Sequence, residues 1–162
     1  MVEYKYHLTR SKTHSQTTTE KTTMKFVLCA DGSEQSKKAL ELIRDMFKPA
    51  DELILLSVGN YEEHFWQEEA KREKQKRKAQ QIAQVIVDSY VQLATGFDNV
   101  KTQVLVGSPR EAIVKFAEEN NIDVIAMGAR GLSAVQRLVV GSVSDYVMKN
   151  STCTVLVSKQ KN

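Results

Sequence analysis

The chain has 162 residues, of which 41% are hydrophobic and 27% are charged, the balance expected of a soluble globular protein with one proper core. No apolar run approaches the ~18 residues that a membrane-spanning helix needs, so the sequence does not predict one. The formal net charge is +3, and the first 23 residues hold four basic and two acidic side chains. The remainder is close to neutral, which gives no indication of a nucleic-acid partner.

The first segment, residues 1–23, is polar, rich in threonine and serine, and lacks the apolar core of a secretory signal. We therefore predict a disordered polar leader over 1–23, a folded domain over 24–162 and a cytoplasmic location. Cys29 and Cys153 each lie within an apolar run, and two cysteines are too few for a disulfide framework. Buried thiols in a reducing compartment are the favoured interpretation, and a redox pair is the alternative.

The folded part begins with a strand, a helix and a second strand. Lys25–Ala30 (KFVLCA) predicts the first strand, and Asp31-Gly32-Ser33 ends it with a turn. Ser33 is then the expected N-cap of a helix that ends before Pro49. Leu53–Val58 (LILLSV) is apolar on both faces, as expected of a central parallel strand. The buried stripe expected for the helix comprises Ala39, Leu40, Ile43, Met46 and Phe47.

A long helix is predicted next, from about residue 62 to residue 94. Its first half contains the run KREKQKRK at Lys71–Lys78, in which six of eight residues are basic. Nucleic-acid binding is one interpretation, but no aromatic residues are interleaved and glutamates dilute the charge, which favours a solvated helix face. The second half carries a stripe, apolar apart from one serine, that we expect to be buried: Ile82, Val85, Ile86, Ser89, Tyr90 and Leu93.

The last part of the chain alternates in the same way. Lys101–Val106 predicts a third strand, and the Gly107-Ser108-Pro109 turn opens a helix in which Ser108 and Glu111 form a capping box. Ile122–Met127 predicts the fourth strand. After a glycine-containing stretch and a last helix, Cys153–Ser158 (CTVLVS) predicts the fifth strand.

The resulting order, βαβαβαβαβ, predicts an α/β fold, a doubly wound five-stranded parallel sheet with helices on both faces. Ligands of such sheets bind outside the carboxyl ends of the strands, at the point where the strand order reverses. In this chain those ends are Asp31–Ser33, Val58–Asn60, Gly107 and Gly128. Four turns are therefore expected to converge on one pocket.

A glycine motif follows the fourth strand. Gly128-x2-Gly131-x9-Gly141-Ser142 opens a helix, where free N–H groups and the positive end of the helix dipole favour phosphate. The sequence contains no GxxxxGK[ST] phosphate loop, and no GxGxxG follows the first strand. Together with the Asp31-Gly32-Ser33 and Gly107-Ser108-Pro109 turns, the spacing resembles the ATP-binding subgroup of the universal stress protein family, whose motif is G-x2-G-x9-G-[ST]. The resemblance covers about residues 24–160.

The resemblance implies the strand order 3-2-1-4-5, bound ATP that can carry Mg²⁺, and a homodimer formed by pairing the last strand, Cys153–Ser158, across a two-fold axis. It implies that Ala30 and Asp31 lie near the ribose and that the backbone of Val58 binds adenine. The ribose and phosphates would be surrounded by Gly128, Gly131, Gly141, Ser142, Val143 and Ser144. In addition, Gly107 borders the same pocket, and Arg130 is either placed to meet a phosphate or solvated in its loop.

Two of these polar residues also have purely structural interpretations. Ser142, with Asp145 three residues later, could cap the last helix without touching a ligand. Asp31 could merely hold its turn, or it could contact the ribose or a metal carried by the phosphates. No nucleophile–base pair and no zinc-ligand spacing stands out in the sequence. Three functions stay open: an ATP-binding regulatory protein that signals to an unidentified protein partner, a slow nucleotide hydrolase, and a dimeric interaction module without a nucleotide.

Overall fold

The computed structural model describes residues 23–62, 68–129 and 140–159. The predicted leader as far as residue 22, together with Arg130 and Gly131 of the predicted site, lies outside the described residues. Strands and helices alternate along the chain as predicted. In chain order they are β1 (Lys25–Cys29), α1 (Glu34–Met46), β2 (Glu52–Asn60), α2 (Glu69–Leu93), β3 (Val100–Gly107), α3 (Pro109–Glu119), β4 (Val124–Gly128), α4 (Ser142–Asn150) and β5 (Thr154–Ser158).

The five strands form one parallel sheet in the order β3-β2-β1-β4-β5, which confirms the predicted doubly wound fold. β1 is the central strand, since Val27 pairs with Ile54 of β2 on one side and with Ile125 of β4 on the other. The strand order reverses at β1, because β2 and β3 lie to one side of it and β4 and β5 to the other. The carboxyl ends beside β1 are therefore the switch point at which sheets of this kind bind ligands.

Each face of the sheet is covered by two helices. Successive side chains of a strand point to opposite faces, so the residues of β1 enter two separate cores. Phe26 and Leu28 pack with α1 and α2 in one core, and Val27 and Cys29 pack with α3 and α4 in the other. Burial on both faces explains why β1, β2 and β4 are nearly continuous apolar runs rather than alternating ones.

The long helix α2 differs from its prediction in two ways. It begins at Glu69 rather than near residue 62. It also turns a different face to the sheet, because its buried residues are Ala83, Val87 and Tyr90. Of the predicted stripe only Tyr90 is fully buried, while the exposed members include Ile82 (52%), Val85 (69%) and Leu93 (41%). Within the described residues, no helix combines the length and apolarity needed to cross a membrane.

The physical reason for the rotated face lies at Gly59, near the end of β2. A Cβ on Gly59 would lie 3.1 Å from the Cβ of Ala79, so helix and strand approach more closely than larger side chains would permit. Ala83 follows one turn later on the same side of the helix and is also buried. Small residues therefore face the sheet where α2 passes Gly59, and the bulkier side chains of Ile82 and Val85 are left exposed.

The N-caps predicted for α1 and α3 can be compared with the structure. Ser33 is the N-cap of α1, and its side chain accepts a hydrogen bond from the N–H of Ser36 at 3.1 Å, as predicted for a cap. Ser108 precedes α3, with Pro109 as the first helical residue, but its side chain makes no cap bond. The predicted capping box with Glu111 is therefore wrong, and the fixed φ of Pro109 begins the helix without it.

A buried carboxylate that the sequence analysis passed over lies at the opposite, amino edge of the sheet. Asp51 is 1% exposed and connects the start of β1 to the loop after α1. Its Oδ1 accepts from the N–H of Met24 at 2.7 Å, and its Oδ2 accepts from the N–H of Lys48 at 2.8 Å. Both oxygens are engaged with backbone groups, which assigns Asp51 a structural role.

Candidate functional site

The strands end at different heights at the carboxyl edge of the sheet. Pairing of β1 with β2 ends at Cys29 and Leu56, and the N–H of Ala30 adds one last bond to the Leu56 carbonyl at 2.7 Å. β2 continues to Asn60, paired with β3 as far as Gly107. β2 therefore extends past the end of β1 by about four residues, 57–60. We call the β1-facing side of this extension the step, and it lies at the switch point of the sheet.

Val58 lies on this step. The N–H and C=O of one residue point to the same side of a strand, and that side alternates from residue to residue. Because Leu56 directs its carbonyl towards β1, Val58 directs its own N–H and C=O to the same side, beyond the point where β1 leaves the sheet. The resemblance implied that these main-chain groups bind adenine, and that role stays a prediction.

Asp31 lies on the turn directly after β1 and is half-buried. Its Oδ1 accepts three hydrogen bonds, from the Ser33 N–H at 2.9 Å, the Ser33 hydroxyl at 2.6 Å and the Ser36 hydroxyl at 2.6 Å. The turn-holding role considered for Asp31 is therefore present. All three bonds go to Oδ1, so holding the turn does not engage Oδ2.

A tyrosine from a distant helix joins this cluster. Tyr90 of α2 is fully buried, and its Oη is in hydrogen-bond contact with the Ser36 hydroxyl and lies 3.3 Å from the Ser33 carbonyl oxygen. Burial raises the pKa of Tyr90, and the negative charge of Asp31 acts in the same direction, so the phenol is kept protonated as a hydrogen-bond donor. The sequence analysis placed Tyr90 only in a buried stripe and did not find Ser36, although a serine three residues after an N-cap serine was a readable signal.

Gly128 ends β4 directly beneath the first turn of α1. A Cβ on Gly128 would lie 2.9 Å from the Cβ of Gln35 and 3.0 Å from the backbone nitrogen of Ser36. The bare backbone therefore lets α1 pack against the end of β4 and holds Ser36 close to Asp31. The sequence analysis placed Gly128 beside the ribose and phosphates, and the structure adds this packing role.

The start of α4 forms another wall of the edge. Gly141 is the N-cap, and its N–H donates to the Ala129 carbonyl at 2.6 Å. The buried Ser144 hydroxyl lies 2.9 Å from the same Ala129 carbonyl and 3.0 Å from that of Gly141, so it holds the helix start against β4. The N–H groups of the first helical turn have no acceptor within their own helix, which leaves them available to an anion.

The capping interpretation of Ser142 is wrong. Ser142 is the first helical residue rather than the cap, and its side chain is exposed. Asp145 pairs instead with Lys149 one turn later, at 2.8 Å. The Ser142 hydroxyl therefore lies at the start of α4 but does not cap it.

Gly107 and Tyr61 close the outer end of the step. Gly107 has a φ of 148°, a conformation that favours glycine, and its carbonyl accepts from the N–H of Tyr61 at 3.1 Å. The Lys76 ammonium lies 5.5 Å from the centre of the Tyr61 ring. The Tyr61 hydroxyl is buried and has no hydrogen-bond partner within the described residues. Sequence analysis missed Tyr61, whose only signal was an aromatic residue directly after β2.

Most of the predicted site thus converges on one edge of the sheet. The main chain of Val58, the carboxylate of Asp31 and the start of α4 surround the carboxyl end of β1. The predicted site residues that the structure brings to this edge are Ala30, Asp31, Val58, Gly107, Gly128, Gly141, Ser142, Val143 and Ser144.

Comparison with known proteins finds a family model that matches most of this chain. The model of the universal stress protein family matches residues 22–159. A protein of Staphylococcus aureus (strain USA300) that is named for this family is 40% identical over 83 residues, which are 49% of this chain and 50% of that protein. The chain thus spans about half the length of the curated relatives it matches.

Solved structures show the same architecture. The hypothetical protein MJ0577 superposes with a TM-score of 0.73 and 31% identity, covering 86% of this chain and 97% of its own. A universal stress protein family protein of Arabidopsis thaliana, solved with AMP bound, has a TM-score of 0.60 and 16% identity over 85% of this chain and 92% of its own. At that identity the likeness shows a shared fold.

Proposed function

The chain belongs to the universal stress protein family, and on that basis we propose that it binds an adenine nucleotide, with ATP preferred, at the step beside β1. The observation that carries the proposal is one edge that combines the main chain of Val58, the Oδ2 of Asp31 and the first turn of α4. In this proposal the site serves as a nucleotide-dependent switch rather than as the centre of a dedicated enzyme. AMP bound to the Arabidopsis thaliana relative supports the class of ligand.

Adenine suits the step because it offers a hydrogen-bond acceptor and a donor side by side. Val58 offers the complementary pair, an N–H and a C=O that face past the end of β1. Main-chain groups of this kind fix the orientation of a ligand and its specificity. Guanine presents the opposite pattern on its Watson–Crick edge, so we expect ATP to bind more tightly than GTP.

The ribose and phosphates then lie between Asp31 and α4. Asp31 accepts from a ribose hydroxyl through Oδ2, or contacts a Mg²⁺ carried by the phosphates. The N–H groups of Val143 and Ser144 and the exposed hydroxyl of Ser142 meet the phosphates at the positive end of the helix. Gly131 and Arg130 complete the phosphate contacts in this proposal.

A short path connects the phosphate end of the site to the edge of the sheet. The Ala129 carbonyl accepts from the N–H of Gly141, while the Ala129 N–H donates to the Ser158 carbonyl of β5 at 2.7 Å. β5 is an edge strand, and unpaired edges recruit further strands. We propose that a second copy pairs along Thr154–Ser158 and that nucleotide binding at α4 alters this pairing, which is how the switch reaches a partner protein. The cytoplasmic location stays a prediction.

The decisive experiment is thermal unfolding of the protein with ATP and Mg²⁺, GTP, AMP or adenosine. Nucleotide at about 100 times its Kd adds roughly 2.7 kcal/mol, which for a chain of this size raises the Tm by about 5–10 °C. No shift at millimolar ATP overturns the proposal. Sustained multiple-turnover release of phosphate would assign the protein to the hydrolases instead, and sedimentation with and without ATP tests the pairing of β5.

A further inference from the structure

We propose that Tyr90 is a positioning residue that orients Asp31 for ribose recognition, acting through the hydroxyl of Ser36. The proposal rests on the proposed nucleotide site and adds a residue of α2 to it. It predicts that a hydroxyl buried in the core of the protein controls how well the site distinguishes a ribonucleotide from its deoxy form.

The direction of the hydrogen bonds follows from counting protons. A carboxylate can only accept, so the hydroxyls of Ser33 and Ser36, each 2.6 Å from the Asp31 Oδ1, both donate to it. Each hydroxyl has a single proton. With its own proton on Asp31, Ser36 can only accept from Tyr90, so the phenol gives its single proton to Ser36 rather than to the more distant Ser33 carbonyl oxygen at 3.3 Å. The chain of donors then runs from Tyr90 to Ser36 and on to Asp31.

The Ser36 hydroxyl has a second acceptor within reach, which gives Tyr90 its role. Its Oγ lies 2.9 Å from the Ser33 carbonyl oxygen, so the proton can turn away from Asp31. Tyr90 occupies the acceptor side of Ser36 and directs the proton to the carboxylate. Without the phenol, Asp31 loses one of its three restraints, and its Oδ2 is no longer held in a single orientation.

The ring of Tyr90 and its hydroxyl have separate roles. Tyr90 belongs to the hydrophobic core between the sheet, α1 and α2, and the fully buried Ser36 of α1 is the hydroxyl that its phenol contacts there. A phenylalanine would fill the same space and keep the packing of the ring. Only the hydroxyl, which reaches the turn at the carboxyl end of β1, needs a further explanation, and the chain to Asp31 supplies it.

The test measures the affinities of the full chain for ATP, 2′-deoxy-ATP and 3′-deoxy-ATP by titration calorimetry. We expect the wild type to prefer ATP to at least one deoxy form. Tyr90→Phe weakens the binding of ATP about five- to tenfold, the scale of one ordinary hydrogen bond, and changes the affinity for that deoxy form less than twofold. Ser36→Ala has the same effect, and Ser89→Ala, which removes an exposed hydroxyl one residue from Tyr90, leaves every affinity unchanged.

An Asp31→Asn background separates positioning from general damage. If Tyr90 acts through Asp31, Tyr90→Phe no longer alters the ribose preference in that background. Equal weakening of ATP and both deoxy forms by Tyr90→Phe, or an unchanged preference, overturns the inference while the nucleotide site stands. If the wild type binds ATP without any ribose preference, the inference about Tyr90 is overturned and the proposed nucleotide site is not. A wild type that binds no nucleotide overturns the proposed function as well.

Discussion

Gly59 of β2 lies against the backbone of Ala79 in α2 so closely that a Cβ on Gly59 would sit 2.6 Å from the Ala79 carbonyl carbon. This contact fixes the position of α2 along the sheet. Residues 69–78 precede it and span about 15 Å of the helix, at ~1.5 Å per residue. They carry the basic run Lys71–Lys78, whose exposed ion pairs include Lys71 with Glu68 at 3.4 Å, the surroundings expected of a solvated helix face.

Gly59→Ala is expected to destabilise the protein by about 2–4 kcal/mol, because the new methyl group meets backbone atoms that cannot move aside. Urea unfolding measures the change. The double variant Gly59→Ala/Ala79→Gly is the matched control. Since the clash is with the Ala79 carbonyl rather than with its side chain, we expect no rescue, and recovery of stability would contradict the described contact.

The orientation of α2 gives a second prediction, from two neighbouring valines. Val87 is fully buried, whereas Val85 is 69% exposed. Val87→Ala should cost about 1.5–3 kcal/mol for the lost methyl groups and the cavity they leave, while Val85→Ala should stay within about 0.5 kcal/mol. The sequence stripe predicted the reverse order, so equilibrium unfolding of the two variants decides between the two orientations.

The α2 comparison shows what the sequence could and could not predict. The strands themselves followed from local features, since apolar runs such as Leu53–Val58 and turns such as Asp31–Ser33 indicate them, whereas their order in the sheet was implied by the family resemblance. The rotation of α2 depends on a non-local close approach at Gly59, which no periodicity within the helix reveals. The same limit applied to the site: Asp31 and Ser142 were found by their position after a strand or before a helix, but Tyr90 is 54 residues from Ser36 along the chain.

Asp51 supplies a prediction that separates stability from binding. Its two oxygens each accept from a backbone N–H, so Asp51→Asn turns an amide donor towards one of those donors. We expect a loss of about 1–3 kcal/mol in the free energy of unfolding. Because Asp51 lies at the amino edge, ATP affinity should not change below the unfolding transition. Asp98→Asn, at an exposed position, is the control for the loss of charge alone.

The stability of the protein should fall at alkaline pH through Cys29. Burial, aided by the charge of Asp31, raises the pKa of the Cys29 thiol far above its usual 9.0. Above pH 9 the unfolded thiol ionises while the folded one keeps its proton, so this contribution is fully present below pH 9 and declines by up to about 1.4 kcal/mol per pH unit above it. The urea midpoint of Cys29→Ala should decline less steeply from pH 8 to 10 than that of Cys153→Ala.

Thiol labelling provides an independent check of the same burial. Cys153 is half-buried, so an aromatic disulfide reagent should modify it in the native protein, whereas Cys29 should react only after unfolding. Two thiols that react at the same rate under native conditions would contradict the burial of Cys29.

Two serines of α4 should separate ligand contact from helix anchoring. Ser142→Ala removes an exposed hydroxyl, so stability should stay within about 0.5 kcal/mol while ATP affinity falls about five- to tenfold. Ser144→Ala removes the buried link to the Ala129 carbonyl and should cost about 1–2 kcal/mol of stability. Adenosine has no phosphate, so its affinity should not respond to Ser142→Ala. An equal loss for adenosine and ATP would place Ser142 away from the phosphates and would move the anion site off the start of α4.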